Sequence, residues 1–356
     1  MRQFVCRCDA RLFFDNSQCL SCNREVGYCP ACQQMTALMP TANGGIQCGH
    51  SACNTPLVKC QNYHEYNVCN RCVQAIDAAK TPEAMLCDCC EFNQVIPDLS
   101  VSGNLKKWAK LEAAKRRLLY DLDLVQLPYR FAQDATVPQL RFDFKADIQP
   151  KVWLWWTIAE KEQVFTGHAN GLITINIREA NPIEREKMRV GFGEAHRTLI
   201  GHFRHEIAHY YFEVLVRDHD VDRCKAVFGD HENPTYQEAL ETYYQNGPLP
   251  DWRTNFVSAY ATMHPWEDFA EMFATYLDMM SAVHTAHCNG LSDEAIDFAD
   301  VDAMMSRYMT IGVAMNEVTR CMGLLDVVPE MLVAPVREKM RYIHELVTSA
   351  PNLTQS

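Results

Sequence analysis

HEIAH, residues 205 to 209, decides the fold of the longer part of this chain, because it is an HExxH motif in a segment predicted to be helical. Residues i and i+4 of an α-helix lie on one face about one turn apart, so the imidazoles of His205 and His209 can bind one Zn²⁺ ion. Glu206 lies between them and can act as a base toward a water molecule bound to that ion. The same five letters also arise by chance in chains of this size, so the interpretation depends on the surrounding sequence.

The segment around the motif predicts one continuous helix. No proline occurs between Pro182 and Pro234, so the helix can run from about Gly193 to Val216. Its apolar residues recur at helical spacing and predict a buried side, formed by Leu199, Ile200, Phe203, Ile207, Tyr210 and Val214. The two imidazoles are therefore expected to lie on a rigid element of a folded domain.

The residues before this helix predict a small sheet. Residues 140–147, 152–158 and 171–177 show the alternation or the short apolar runs that are typical of strands. An unpaired strand edge beside a metal-binding helix can pair with an extended peptide, and we expect the GLITIN segment, residues 171 to 176, to be that edge. The fold class predicted for the second part of the chain is α+β, mainly helical with a small sheet.

Two histidines need a third ligand, and the best donor lies downstream in HPWEDFAEMFATYL, residues 264 to 277. Pro265 suits the first turn of a new helix, and Glu267 and Glu271 fall one turn apart on one face. Glu267 can complete the ligand set while Glu271 accepts a hydrogen bond from a ligating imidazole. A surface helix whose first turn is acidic because of the helix dipole is an equal alternative.

Cysteine usage divides the chain, since 14 of the 17 cysteines lie at or before Cys90. The first residues, MRQFVCRCDA, contain no apolar signal region, so we expect a cytoplasmic protein in a reducing compartment. Closely spaced cysteine pairs in that setting predict metal ligands rather than disulfides. The first 98 residues are therefore predicted to be a zinc-ribbon domain, followed by a second domain over residues 99–356.

The cysteine pairs can be grouped into tetrahedral sites of four thiolates each. Two groups are preferred: Cys6, Cys8, Cys19 and Cys22; and Cys60, Cys69, Cys87 and Cys90. A third group is Cys29, Cys32, Cys48 and Cys53, with His50 as the alternative to Cys53. Cys72 and Cys89 are then left as packing thiols or substitute ligands. The prediction is two or three structural zinc ions in addition to a catalytic one.

The net charge and the hydropathy of the chain argue against two classes of function, nucleic-acid binding and membrane spanning. The net charge of -12 argues against binding to a phosphate backbone, and no apolar run is long enough to span a bilayer. We therefore expect the ribbon to dock a protein partner rather than nucleic acid or a membrane. The basic residues of the helix predicted over residues 102–122 are expected to form a solvated face, and they include Lys115 and Arg116.

HEIAH followed by SAYATMHPWEDFAEMFA, residues 258 to 274, resembles the gluzincin metallopeptidases and, more narrowly, the lethal-factor-like peptidases. This resemblance implies that Tyr260 supplies a phenol, that Glu267 binds zinc and that Glu271 supports a ligand. The whole chain, including MGLLD and EKMRYIH near its end, is similar to a bacterial family of zinc-binding metallopeptidases with an N-terminal zinc ribbon. The group formed by Cys29, Cys32, Cys48 and Cys53 is a departure from what we expect throughout that family.

The residue types predict peptide-bond hydrolysis. Zinc on His205, His209 and Glu267 would lower the pKa of a bound water, and Glu206 would accept its proton as the water attacks a peptide carbonyl. Tyr260 would donate a hydrogen bond to the oxyanion that forms. The alternative is a non-catalytic adaptor that retains the ribbon, the fold and the metal. Such an adaptor would need the ligands but neither Glu206 nor Tyr260.

Overall fold

The computed structural model describes residues 1–80, 85–131, 136–147, 152–153, 156–157, 164, 166–192, 198–292 and 296–350. The chain divides into two compact units, Met1–Arg116 and Arg117–Ser356. The architecture confirms the predicted mixture of a cysteine-rich ribbon and a mainly helical part with small sheets. No helix among the residues described combines the length and hydrophobicity needed to cross a membrane.

The first unit is built from short antiparallel strands. A two-stranded hairpin comes first, made of β1 (Phe4–Val5) and β2 (Arg11–Leu12). A meander follows in the order β3-β4-β5-β6-β7, with bounds Val26–Cys29, Gln34–Pro40, Ile46–Cys48, Pro56–Lys59 and Cys72–Gln74. Two short helices, α1 (Gln61–Tyr66) and α2 (Ala75–Ala78), flank β7, and the strand β8 (Asn93–Val95) precedes helix α3 (Asn104–Leu124).

Left-handed residues close the turns that carry the cysteine pairs. Asp9, Asn23, Gln33 and Asn54 all have φ between 50° and 63°, and each directly follows a cysteine. The amide of Gln33 donates to the carbonyl of Cys29 at 2.8 Å, and the amide of Asn23 donates to Cys19 at 2.9 Å. Asp and Asn tolerate this backbone region better than other side chains do. These turns bring the two thiols of a pair to the same side of the backbone.

Helix α3 corrects one expectation from the sequence. Its apolar residues Trp108 and Leu111 are buried as the spacing predicts, but Lys115 and Arg116 are buried as well, whereas a solvated basic face was expected. The ammonium group of Lys115 lies 3.0 Å from the carboxylate of Glu112, and both side chains are fully buried. The guanidinium of Arg116 donates to the carbonyl of Val68 at 2.7 Å. The charges of Lys115 and Arg116 therefore lie inside the first unit, beside buried thiols.

The second unit contains the sheet. Its strands are β9 (Arg141–Lys145), β12 (Gly167–Ala169) and β13 (Leu172–Asn176), together with the separate pair β10 (Val152–Trp153) and β11 (Trp156–Thr157). β13 pairs with β12 in antiparallel fashion and with β9 in parallel fashion. The expectation that GLITIN forms a sheet edge is therefore wrong, because both of its sides are hydrogen-bonded. β12 lies at the end of the strand order instead.

Seven helices of the described residues follow the sheet. They are α4 (Pro182–Phe192), α5 (Leu199–Leu215), α6 (Val221–Phe228), α7 (Tyr236–Asn246), α8 (Pro265–Cys288), α9 (Val301–Cys321) and α10 (Ala334–Ser349). α5 begins after Thr198, whose hydroxyl accepts the Gly201 amide at 3.0 Å as an N-cap. Residues 193–197 of the predicted continuous helix lie outside the described residues, as do residues 154, 155 and 158 of the predicted strand over 152–158.

The core of the second unit lies between α5 and α8. Tyr211 stacks on Phe273 with ring centroids 5.4 Å apart, and Phe212 meets Phe269 edge to face at 5.2 Å. All four rings are buried, and such aromatic pairs contribute about 0.5–1.5 kcal/mol each beyond their area burial. This packing fixes the two helices against each other and thereby fixes the side chains on their facing surfaces.

Candidate metal centre

Three side chains from α5 and α8 converge on one point. The Nε2 atoms of His205 and His209 lie 3.1 Å apart, and the Oε2 atom of Glu267 lies 3.0 Å from the first and 3.6 Å from the second. Zinc bonds of about 2.0–2.1 Å in a tetrahedron place neighbouring ligand atoms roughly 3.3 Å apart. The three distances fit one face of such a tetrahedron, so these residues fit a zinc ion and leave a fourth position.

The orientation of Glu267 supports this fit. Its Oε2 atom is buried and accepts no hydrogen bond of good geometry among the described residues, although it faces two imidazoles. Its Oε1 atom accepts a hydrogen bond from the hydroxyl of Tyr236 at 2.9 Å. Buried carboxylate oxygens are costly without a partner. A metal ion between the three ligand atoms would satisfy Oε2.

Glu271 contacts the first histidine from the other side of the ring. Its Oε1 atom lies 2.7 Å from Nδ1 of His205, which leaves Nε2 of that ring toward Glu267 and His209. Burial alone would raise the pKa of Glu271, but the hydrogen bond and the charge of His205 outweigh burial and hold the pKa below its ordinary value. A carboxylate on Nδ1 fixes the tautomer in which Nε2 is the metal ligand.

Glu206 lies on the same helix as the two histidines and has the environment of a base. Its carboxylate is buried, and its Oε2 atom has no hydrogen-bond donor among the described residues. Burial raises the pKa of Glu206, and the neighbouring histidines His205, His209 and His202 oppose that rise. A carboxylate whose pKa is raised toward neutrality is a better proton acceptor for water attack than an ordinary one.

Two tyrosines line the centre, and the sequence indicated only one of them. Tyr260 begins the 3-10 turn Tyr260–Thr262, and its ring centroid lies 6.0 Å from that of His205. Tyr236 is the first residue of α7, and its hydroxyl donates a hydrogen bond to Glu267. The Thr235–Glu238 capping box signals the start of α7, but nothing in that motif places its first residue beside a metal centre.

Three further polar residues near these helices have structural partners. The imidazole of His264 accepts the Trp266 amide at 3.1 Å and so caps α8. Asp268 pairs with Lys339 at 2.6 Å. His202 pairs with the buried carboxylate of Glu179.

The cysteines of the first unit form three groups of four. Their members are Cys6, Cys8, Cys19 and Cys22; Cys29, Cys32, Cys48 and Cys53; and Cys60, Cys69, Cys87 and Cys90. The ligand atoms of each group all lie within 4.8 Å of one another, and five of the sulfur pairs lie 3.7 to 3.9 Å apart, as between Cys8 and Cys19 or between Cys29 and Cys53. A disulfide requires about 2.05 Å, whereas four thiolates about 2.3 Å from one zinc ion lie roughly 3.8 Å apart. The thiols therefore fit three tetrahedral zinc sites.

The group formed by Cys60, Cys69, Cys87 and Cys90 is the most deeply buried, and cationic side chains lie near it. All four of its cysteines are buried, whereas each of the other two groups has two half-exposed members. Four thiolates with one zinc ion carry a net charge of about −2, which burial makes costly. Burial alone would lower the pKa values of the nearby Arg71, Lys115 and Arg116. Asp88 beside Arg71, Glu112 beside Lys115 and the thiolate of Cys69 beside Arg116 raise these pKa values instead, and further thiolates of this region add to the effect. Buried cations thus offset the charge of the cluster.

The remaining cysteines of the ribbon lie outside the groups. Cys72 and Cys89 are buried, and burial raises the pKa of each thiol. A Cβ atom added at Gly27 would approach the sulfur of Cys72 to 2.8 Å, so this thiol packs directly against the backbone of β3. Such surroundings are those of packing thiols.

A helix-borne HExxH with a carboxylate on a second helix defines the class of zinc-binding metallopeptidases, and comparison with known proteins agrees. The chain belongs to the family described as "Putative zinc-binding metallo-peptidase", whose model matches residues 104–346, and a zinc-ribbon domain model matches residues 3–101. The uncharacterized proteins Rv2568c of Mycobacterium tuberculosis and Mb2598c of Mycobacterium bovis are each 34% identical to it, over 98% of this chain and 95% of theirs. No solved structure matches. The predicted domain boundary after residue 98 stays a prediction.

Proposed function

We propose that the protein is a zinc-dependent peptidase of the gluzincin type that hydrolyses peptide bonds. The observation that carries this proposal is the convergence of His205, His209 and Glu267 on one point with the buried carboxylate of Glu206 on the same helix. A merely structural zinc site fills all four positions with protein ligands, whereas a hydrolytic site keeps one open. Three ligand atoms on one face of a tetrahedron correspond to the second arrangement.

The reaction follows from the residues that surround the open position. Zinc held by the three side chains would acidify a water molecule and polarise the substrate carbonyl. Glu206 accepts the proton of the attacking water and returns it to the leaving amine. Tyr260 donates a hydrogen bond to the oxygen of the carbonyl as negative charge develops there. Loss of one such donor lowers kcat by about 10²–10³-fold.

Main-chain recognition is assigned to strand β12. One side of β12 pairs with β13, and among the strands of the described residues β12 lies at the end of the sheet order. It also packs near α5, the helix that carries the histidines. A peptide that adds to such an edge is bound through its backbone, so recognition depends weakly on its side chains. Gly167–Ala169 thus replaces GLITIN as the proposed substrate-binding edge.

The cysteine groups are proposed to bind three structural zinc ions, which makes four zinc ions per chain with the catalytic one. The shared sulfur spacing of 3.7 to 3.9 Å supports this number. The expected docking of a protein partner by the ribbon and the expected cytoplasmic location both stay predictions.

The test compares wild type with Glu206→Gln, a variant that keeps the shape of the side chain and removes the base. Both proteins are loaded with zinc, their metal content is measured, and a peptide library is offered to each. The proposal predicts equal zinc content and cleavage by wild type alone. Zinc-loaded wild type that cleaves no peptide would instead favour the non-catalytic adaptor.

A further inference from the structure

We propose that Tyr236 is a positioning residue of this centre, whose hydroxyl orients the carboxylate of Glu267. The inference rests on the proposed function, which it deepens by assigning a role to α7. The segment between α5 and α8 is then part of the machinery rather than a connection.

The hydroxyl of Tyr236 holds the carboxylate of the metal ligand Glu267. The hydroxyl of Tyr236 donates to Oε1 of Glu267 at 2.9 Å, and Oε2 of the same carboxylate faces both imidazoles. With one oxygen engaged by a donor, the carboxylate is held in a single rotation and presents the other oxygen to the metal. Partners of this kind orient a ligand, and their removal lowers metal affinity by about 10–100-fold.

The direction of this hydrogen bond is fixed by the two groups. A phenol carries one proton, whereas an ionised carboxylate oxygen can only accept, so Tyr236 is the donor and Oε1 of Glu267 is the acceptor. The proton of Tyr236 is therefore committed to the ligand Glu267.

Tyr236 is itself held rigidly by its surroundings. Tyr236 directly follows Thr235, whose side chain caps α7 through a full capping box with Glu238. The ring of Tyr236 meets the rings of His264 and Trp266 edge to face, at 5.5 and 5.6 Å between centroids. Cap and ring contacts hold the phenol in one place before substrate arrives. A positioning group is effective only when it is itself immobilised in this way.

The experiment uses the full chain and the substitution Tyr236→Phe, which keeps the ring and removes only the hydroxyl. The matched control is Tyr244→Phe, because Tyr244 lies on the same helix with an exposed side chain. The affinity of the centre formed by His205, His209 and Glu267 for zinc is measured by chelator competition. The visible spectrum of the Co²⁺-substituted protein reports the ligand geometry. Thermal melting verifies that each variant is folded.

Tyr236→Phe is expected to lower the zinc affinity of the catalytic centre by about 10–100-fold and to change the Co²⁺ spectrum. Tyr244→Phe is expected to change neither, and Tyr260→Phe is expected to lower kcat while zinc affinity is retained. Unchanged zinc affinity and an unchanged Co²⁺ spectrum in folded Tyr236→Phe would overturn the inference. Absence of peptide cleavage by wild type would refute the proposed function alone, since the metal readouts would still decide the role of Tyr236.

Discussion

The buried ion pair of Lys115 and Glu112 gives a sharp test of how much buried charge pairing stabilises the ribbon unit. In Lys115→Met the aliphatic volume is kept and the ammonium is lost, which leaves the fully buried carboxylate of Glu112 without its cation. At 3.0 Å and an effective dielectric constant of about 20, the lost attraction is roughly 5–6 kcal/mol. Breaking one partner of a buried pair typically costs about 3–5 kcal/mol, so we expect a loss of that size.

The assay is equilibrium unfolding of the zinc-loaded chain in urea, with release of the ribbon zinc as the readout. The double variant Lys115→Met with Glu112→Gln is the control, because the amide oxygen can still accept the hydrogen bonds of the Trp108 and Asn93 side chains. The double variant is expected to recover much of the lost stability. If Lys115→Met unfolds at the same urea concentration as wild type, buried charge compensation is the wrong explanation.

Three further outcomes follow from contacts in the two units. Glu271→Gln is expected to lower the zinc affinity of the catalytic centre by about 10–100-fold in chelator competition, because the amide is a weaker acceptor for His205. The ribbon zinc is expected to stay bound, and an unchanged affinity of the catalytic centre would contradict the role of Glu271. Gln33→Gly is expected to stabilise the zinc-loaded ribbon by about 0.5–1 kcal/mol in urea unfolding because its φ of 55° suits glycine, whereas Gln34→Gly in β4 should destabilise it. A chelator is expected to extract zinc last from the fully buried cysteine group, and extraction of all ribbon zinc at one rate would refute that order.

Local rules account for much of what the sequence predicted. The i, i+4 spacing of His205 and His209 fixes both rings on one helical face, and Pro265 marks the start of α8, where Glu267 follows in the first turn. The structure brings these groups together because α5 and α8 pack along their apolar sides. Spacing within an element is a short-range property, so it can be read from one sequence.

The features that the sequence missed depend on long-range contacts. Tyr236 lies 31 residues before Glu267, and only the tertiary fold brings its hydroxyl to the carboxylate. Lys115 and Arg116 look like surface cations until the buried thiols beside them are known. GLITIN alternates as an edge strand would, yet β9 covers its second side through a parallel pairing that no local pattern specifies.

The central claim is that His205, His209 and Glu267 together hold one zinc ion that is separate from those of the ribbon. Native mass spectrometry of wild type and of Glu267→Ala counts the ions directly. We predict four zinc ions in wild type and three in the variant, with the ribbon still loaded. An unchanged count in Glu267→Ala, or a count of three in wild type with every cysteine group filled, would contradict the account.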